Sequence, residues 1–226
     1  IQNNRKPVVV TGAQKPIDLA ITDARSNLLD SLRFASHPRA HGTVIVFGGK
    51  VIAGTRAKKE FSKSYNAFSS INYPDIAVIH DDRIVFYIDD KEQSTKLLQF
   101  YHEMDDRIFL LKLIPSIDPL VLENLADSYD GLILESFGVG GLPDYGNHDF
   151  AAMIEKWTSA GKLVTMSTQV PHEGSDMGIY KVGKTIKENF EILESYDMTL
   201  EATVTKMMWI LAQTRDFSEC KKLFYT

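Results

Sequence analysis

The 226-residue chain carries a formal net charge of −5, with 44% hydrophobic and 24% charged residues, a composition typical of a globular protein. The acidic balance argues against a nucleic-acid partner, because phosphate binding needs a basic surface. The single cysteine, Cys220, excludes a disulfide within the chain and fits a reducing compartment. No apolar run is long enough to span a bilayer, so we expect no membrane partner.

The first part of the chain combines strands with one helix. The β-branched stretch over 6–12 predicts a buried strand that ends in glycine. The stretch over 22–36 predicts a helix capped by Thr22 or Asp23, because Leu28, Leu29, Leu32 and Ala35 fall at helical spacing. Two strand pairs, around Gly48-Gly49 and around Asp81-Asp82, predict β-hairpins.

The chain turns polar from residue 90 to about 105, which indicates a linker. Beyond it, strands are predicted at "RIFLLKLIP", "DGLILESFG" and "KLVTMST", with helices at "SIDPLVLENLAD" and "NHDFAAMIEKWTSAG" and two or three more after Lys184. This alternation predicts an α/β fold with a parallel sheet covered on both faces. Ligands bind beyond the carboxyl ends of such strands, so the loops after Phe137 and Thr168 are candidate site segments.

Several polar or glycine-rich segments admit both a functional and a plain interpretation. The loop over 136–144 either cradles a phosphate or makes a tight turn, and it lacks a complete nucleotide-binding motif. His148 and His172 are candidate general bases or ordinary surface histidines, and no histidine spacing indicates a metal site. In the long loop over 168–180, Glu173 and Asp176 either meet a ligand or line a solvated connection.

The stretch "GTRAKKEFSKSYNAF" over 54–68 concentrates positive charge beside aromatic residues. One interpretation is an exposed charge run in a loop. The other is a loop that delivers one lysine into an active site, which requires a shifted pKa that the sequence does not show. Composition leaves the choice open.

Six separate blocks of the chain, in order, resemble the bacterial type I (cytoplasmic) L-asparaginases. They are "KPVVVTGAQKPI", "TDARSNLLDSLRFA", "GTRAKKEFSKSYNAFSSINYP", "DGLILESFGVGG", "STQ" and "YDMTLEATVTKMMWILAQT". The resemblance implies a two-domain α/β fold: 1–90 as the remainder of the N-terminal domain, 91–105 as a linker, and 106–226 as a smaller C-terminal domain with a parallel sheet. It also implies a cytoplasmic homo-oligomer, a dimer of dimers.

The chemistry that the resemblance implies is hydrolysis of L-asparagine to aspartate and ammonia, with no cofactor and no metal. A threonine hydroxyl attacks the amide, and a second threonine, an aspartate and a lysine support it. Lys59 is the expected catalytic lysine, because it stands nine residues before Phe68 as in the family, whereas Lys58 stands ten. Its cationic neighbours would modestly favour the neutral form of the amine, because nearby positive charges disfavour the protonated form.

Four further site residues follow from the same resemblance. Ala13, in "VTGAQ", would offer backbone atoms to the substrate amide. Asp23 and Asn27, in "TDARSN", would support that turn from beneath. Asp176 would reach the substrate amine of a neighbouring subunit.

The family's nucleophile block, Gly-Gly-Thr, and its "HGTDT"-like block do not occur in this sequence, where both Gly-Gly pairs precede other residues. We therefore expect a fragment that is inactive alone, with the missing N-terminal segment lost or present as a separate chain. A natural truncation that left a non-catalytic α/β interaction module is a third explanation. A further alternative is the asparaginase-like subunit of a tRNA-dependent amidotransferase, although the negative charge disfavours a tRNA-facing surface.

Overall fold

The computed structural model describes residues 1–88, 95–143 and 149–226. The chain divides into two compact units, Ile1–His102 and Glu103–Thr226. The predicted linker over 91–105 falls partly outside the described residues. No helix in the described ranges is long and apolar enough to cross a membrane.

The first unit holds seven described strands and one helix. The strands are β1 (Val8–Val10), β2 (Thr43–Phe47), β3 (Lys50–Ala53), β4 (Ala57–Lys59), β5 (Phe68–Ser70), β6 (Ala77–His80) and β7 (Arg83–Phe86), and the helix is α1 (Ala24–Ser36). Five strands form a mixed sheet in the order β1-β2-β3-β6-β7, in which only β1 and β2 run parallel. Strands β4 and β5 form a separate antiparallel pair.

Both predicted hairpins are confirmed. Gly48 and Gly49 connect β2 to β3 with φ angles of 58° and 75°, the left-handed pair that a two-residue hairpin turn favours. A Cβ at Gly48 would also stand 2.9 Å from the Tyr65 carbonyl oxygen, so the position excludes any larger residue. The second turn, between β6 and β7, places Asp81 at a φ of 55°.

The predicted helix α1 is confirmed, but its capping and its buried face differ from expectation. The Asp23 side chain makes no cap hydrogen bond, because its carboxylate faces the turn over 11–15 instead. Thr22 Oγ1 accepts the Ala24 N–H at 3.0 Å. The buried residues of α1 are Asn27, Ser31 and Phe34, whereas its leucines, Leu28, Leu29 and Leu32, are exposed.

The second unit is the predicted α/β layer structure. Its strands are β8 (Ile108–Lys112), β9 (Gly131–Ser136), β10 (Leu163–Thr168) and β11 (Ile192–Glu194). Its described helices are α2 (Val121–Leu125), α3 (Phe150–Ser159), α4 (Lys181–Asn189), α5 (Leu200–Gln213) and α6 (Phe217–Phe224). All four strands are parallel, in the order β11-β10-β9-β8, which confirms the predicted parallel sheet.

Buried side chains cover this sheet on both faces. One face packs against α2, α3 and α4, with Trp157 fully buried and its indole N–H donating to the Leu122 carbonyl oxygen at 3.0 Å. The other face packs Ile133 and Leu193 against α5 and α6. Because helices cover both faces, β9 is buried at every residue and β10 at every residue but its last.

The outer strand β11 was not predicted from the sequence, because it is only three residues long. It pairs with β10, and Ser195 N–H donates to the Met166 carbonyl oxygen at 2.8 Å. The neighbouring Glu194 backbone faces the open edge, where the Tyr225 hydroxyl accepts its N–H at 2.9 Å and donates to its carbonyl oxygen at 3.1 Å. A side chain therefore satisfies this edge of the sheet.

Candidate active site

In the first unit, the turn that follows β1 is held by the carboxylate of Asp23. Its Oδ1 accepts the backbone N–H groups of Gln14 and Lys15, both at 3.0 Å. Its Oδ2 accepts Gln14 N–H at 2.9 Å and the Asn27 side-chain amide at 3.2 Å. Asp23 is only 4% exposed, so these bonds replace nearly all of its hydration.

The pKa of Asp23 reflects this setting. Burial by itself raises the pKa, but the amides of Gln14 and Lys15 and the side chain of Asn27 outweigh it and hold the pKa below its ordinary value of 3.8. The carboxylate is therefore ionised at neutral pH.

Asn27 ties the same turn to the β2–β3 hairpin. Its side-chain amide donates to the Gly12 carbonyl oxygen at 2.9 Å, and its Oδ1 accepts the Gly48 N–H at 3.0 Å. The side chain lies one helical turn after Asp23 and is buried, so helix α1 carries both anchors. Asp23 and Asn27 therefore hold the turn by direct hydrogen bonds, and their supporting role at a substrate site stays a prediction.

Ala13 lies between the anchored residues Gly12 and Gln14. Within the described ranges, its backbone N–H donates no hydrogen bond and its carbonyl oxygen accepts none, and the residue is exposed. A polar ligand therefore meets an available backbone donor and acceptor on a turn whose two flanks are fixed.

Lys59 is the last residue of β4 and stands directly opposite Phe68 of β5. Its amine lies 5.9 Å from the Phe68 ring centre and donates to Gln14 Oε1 at 3.2 Å. Lys58 pairs with Ser69 instead, and because strand residues alternate, it faces the opposite side of the pair. The structure thus brings Lys59, Ala13, Asp23 and Asn27 together around one turn.

Gln14 is the residue that sequence reasoning missed. Besides accepting the Lys59 amine, its side-chain amide donates to the carbonyl oxygens of Phe61 at 3.2 Å and Ser64 at 2.9 Å. It therefore fixes the β4–β5 turn and the lysine amine at once. The only available signal was its place next to Ala13, in the block "VTGAQ".

Two further contacts between a cation and an aromatic ring involve the basic stretch. The Arg56 guanidinium is 5.5 Å from the Tyr73 ring centre, and the Lys15 amine reaches Tyr65 at 5.7 Å. Such contacts are each worth about 0.5–1 kcal/mol at exposed sites. Within the stretch, Lys58 and Lys59 lie on β4, whereas Arg56 lies in the turn before it and Lys63 lies in the exposed connection between β4 and β5.

In the second unit, two loops meet beyond the carboxyl ends of β9 and β10. The glycine-rich loop after β9 closes as a tight turn, in which Phe137 and Gly141 exchange both backbone hydrogen bonds. The loop after β10 reaches it through the Asp176 N–H, which donates to the Val139 carbonyl oxygen at 2.6 Å. The Thr168 hydroxyl also donates to the Gly138 carbonyl oxygen.

Asp176 itself is exposed, and its Oδ1 accepts the Gly178 N–H at 2.9 Å. His172 and Glu173 are exposed in the same loop, whereas His148 lies outside the described residues. Across the ranges that the structure describes, no three histidine, cysteine or acidic side chains gather closely enough to hold a metal ion.

The two units match two models of one protein family. The asparaginase N-terminal domain matches residues 1–92, and the glutaminase/asparaginase C-terminal domain matches residues 107–224. The L-asparaginase of Thermococcus kodakarensis is 38% identical over 223 residues, covering 99% of this chain and 66% of that protein. One subunit of the glutamyl-tRNA(Gln) amidotransferase of Methanosphaera stadtmanae is 28% identical over 230 residues, covering 97% of this chain and 51% of that subunit.

Solved structures agree with these matches. The thermostable L-asparaginase from Thermococcus kodakarensis superposes with a TM-score of 0.92 at 36% identity, covering 99% of this chain and 67% of that one. L-asparaginase I from Vibrio cholerae gives 0.85 at 26% identity, covering 98% and 66%. The chain spans about two thirds of the length of these L-asparaginases and about half that of the amidotransferase relative. With both domain models matched in order, the chain belongs to the glutaminase/asparaginase family.

Proposed function

We propose that the protein is a type I L-asparaginase that hydrolyses the side-chain amide of L-asparagine to aspartate and ammonia without a cofactor. The observation that carries the proposal is the Lys59 amine, held at 3.2 Å by Gln14 beside the open peptide of Ala13. A proton-transfer group and a backbone anchor for a polar substrate thus share one fixed turn.

In the proposed reaction, a threonine hydroxyl attacks the amide carbon, the C–N bond breaks and an acyl-enzyme ester forms. Lys59 helps to accept the proton of the threonine hydroxyl and to deliver it to the leaving nitrogen, which departs as ammonia. Water then hydrolyses the ester and releases aspartate. Because no Gly-Gly-Thr block stands among these 226 residues, we propose that the nucleophile comes from outside them.

Ammonia release by the purified full-length protein tests this proposal. We expect release from L-asparagine, with L-glutamine compared at equal concentration, and an intact mass larger than this chain or a second polypeptide beside it. Asparagine hydrolysis that Lys59→Met leaves unchanged would contradict the assigned role of the lysine. No hydrolysis of either amide by the full-length protein would overturn the proposal and favour a non-catalytic module.

The second candidate is the asparaginase-like subunit of a tRNA-dependent amidotransferase. It is favoured by the glutamyl-tRNA(Gln) amidotransferase relatives, which match nearly the whole chain. The net charge of −5 weighs against a surface that faces tRNA. Glutamine hydrolysis that rises when glutamyl-tRNA and a partner subunit are added would support this candidate over the first.

We also propose that the protein is a cytoplasmic homo-oligomer. The exposed leucines of α1, Leu28, Leu29 and Leu32, support association, because they stand within one turn of the same helix and exposed apolar side chains grouped in this way can form an interface. We expect sedimentation equilibrium to give a multiple of the subunit mass, and the double variant Leu29→Ser/Leu32→Ser to lower it. A monomeric mass at micromolar concentration for the unaltered protein would contradict the proposal.

A further inference from the structure

Glu194, at the end of β11, is a buried carboxylate outside the cluster around Lys59. It is only 2% exposed, and each of its oxygens has its own partner. Oε1 accepts the backbone N–H of Met177 at 2.7 Å, and Oε2 accepts the Lys187 amine at 2.6 Å. A carboxylate removed from water is stable only when its lone pairs are satisfied in this way.

The first partner belongs to the loop that follows β10. Three consecutive amides of this loop each have their own acceptor: Ser175 N–H donates to the Tyr196 carbonyl oxygen, Asp176 N–H to that of Val139, and Met177 N–H to the Glu194 side chain. Of these three acceptors, only Glu194 is a side chain. It is therefore the one of these three acceptors that a side-chain substitution can remove.

Met177 is also closely packed. It is fully buried, and two glycines border it, since a Cβ at Gly140 would stand 3.2 Å from its Cγ and a Cβ at Gly183 would stand 2.7 Å from its carbonyl oxygen. The segment around Asp176 therefore has one backbone position, which the Glu194 bond and the packing of Met177 define together.

The second partner, the Lys187 amine, orients the Glu194 carboxylate. Burial by itself lowers the pKa of the Lys187 amine, but its hydrogen bonds to Glu194 and Tyr196 outweigh this and raise the pKa above its ordinary 10.5. The amine also lies 5.0 Å from the Tyr196 ring centre. The Lys187 amine is thus protonated throughout the neutral pH range.

We propose that Glu194 is a positioning residue that sets the place of Asp176 through the Met177 amide, with Lys187 as its counterion. This rests on the proposed function and on the expected contact of Asp176 with the amine of L-asparagine bound to a neighbouring subunit. Glu194 does not touch substrate. A contact to the amine, remote from the scissile amide, is made equally in the ground state and the transition state, so its loss raises KM and leaves kcat nearly unchanged.

The test uses the full-length protein with Glu194→Gln and a matched control, Glu188→Gln. Glu188 of α4 pairs with Lys184 at 3.8 Å, but both side chains of that pair are 63% exposed. Hydrogen exchange over residues 174–178 is measured together with kcat and KM for L-asparagine. In Glu194→Gln we expect exchange of the Met177 amide to rise about tenfold and KM to rise about tenfold with kcat within about twofold. Glu188→Gln should change neither quantity.

A double-mutant cycle decides whether Glu194 acts through Asp176. In an Asp176→Ala background, Glu194→Gln should raise KM no further, because the contact that it positions is already absent. Lys187→Arg, compared with Lys184→Arg, provides a second pair if Glu194→Gln folds poorly, because arginine keeps the counterion and alters only the geometry of its bond to Oε2. Its expected effects have the same direction and are smaller.

The outcomes separate this inference from the proposed function. Unchanged exchange at Met177 in Glu194→Gln would overturn the anchoring, whatever the activity. Faster exchange with an unchanged KM, or equal KM effects in both backgrounds, would overturn the link to Asp176. An unaltered protein that hydrolyses no asparagine would remove the proposed function and, with it, the role at the substrate, whereas the exchange data would still decide the anchor.

Discussion

Replacing Lys59 by methionine is expected to slow ammonia release from L-asparagine about 10³-fold, the middle of the range for losing a positioned proton-transfer group. The side chain is exposed and its bond to Gln14 Oε1 lies at the surface, so the thermal midpoint and the oligomer mass should stay within error. The measurement is steady-state ammonia release together with thermal unfolding of the same preparation.

Two further variants make the result specific. Lys58→Met should keep nearly full activity, because Lys58 pairs with Ser69 and faces the other side of β4. Lys59→Arg should be as impaired as Lys59→Met, since arginine keeps the charge but does not give up its proton. An active Lys59→Arg would show that charge alone suffices, and an inactive Lys58→Met beside an active Lys59→Met would move the assignment by one residue.

Asp23→Asn is expected to lower the free energy of unfolding of the first unit by about 3 kcal/mol at pH 7. The carboxylate now accepts hydrogen bonds from the N–H groups of Gln14 and Lys15 and from the Asn27 side-chain amide. An asparagine at position 23 has only one acceptor oxygen, and its NH₂ group would face at least one of these donors. Because the turn carries Ala13, KM for L-asparagine should rise as well.

The pH dependence of this loss has a defined sign. The pKa of Asp23 is lowered on folding, so its contribution is fully present above the unfolded value near 3.8 and is lost as the pH falls through the folded value. Urea unfolding should therefore show the full difference from the unaltered protein at pH 7 and a difference that shrinks progressively as the pH is lowered below 3.8. Asp18→Asn, at an exposed position in the same loop, is the control; equal stability of the two variants would contradict the assignment.

The regular elements were predictable where one physical signal dominates. The apolar runs of β9 and β10 indicate buried parallel strands, and the Gly48-Gly49 pair indicates a hairpin because both residues take positive φ. β11 was missed because three residues give no periodicity. The exposed leucines of α1 show the limit of apolar spacing: the helix buries Asn27 and Ser31 instead, because they bond to the backbone.

For the candidate site, the resemblance supplied residues and the structure supplied the contacts between them. The spacing between Lys59 and Phe68 corresponds to a direct cross-strand pair. Gln14 and Glu194 could not be predicted, because each acts through hydrogen bonds to backbone groups distant in sequence, from Gln14 to Ser64 and from Glu194 to Met177. Side chains that bind backbone leave no trace in composition or spacing.

The Tyr225 hydroxyl has a consequence for solubility. An outer strand with unpaired N–H and C=O groups is a template on which a second polypeptide can add a strand. In β11 the outward groups of Glu194 are occupied by Tyr225, and Ile192 N–H is bonded to the Phe190 carbonyl oxygen. A phenolic oxygen thus occupies the place of a neighbouring strand, and an incoming β-strand would have to displace it before the sheet could extend from one molecule into the next.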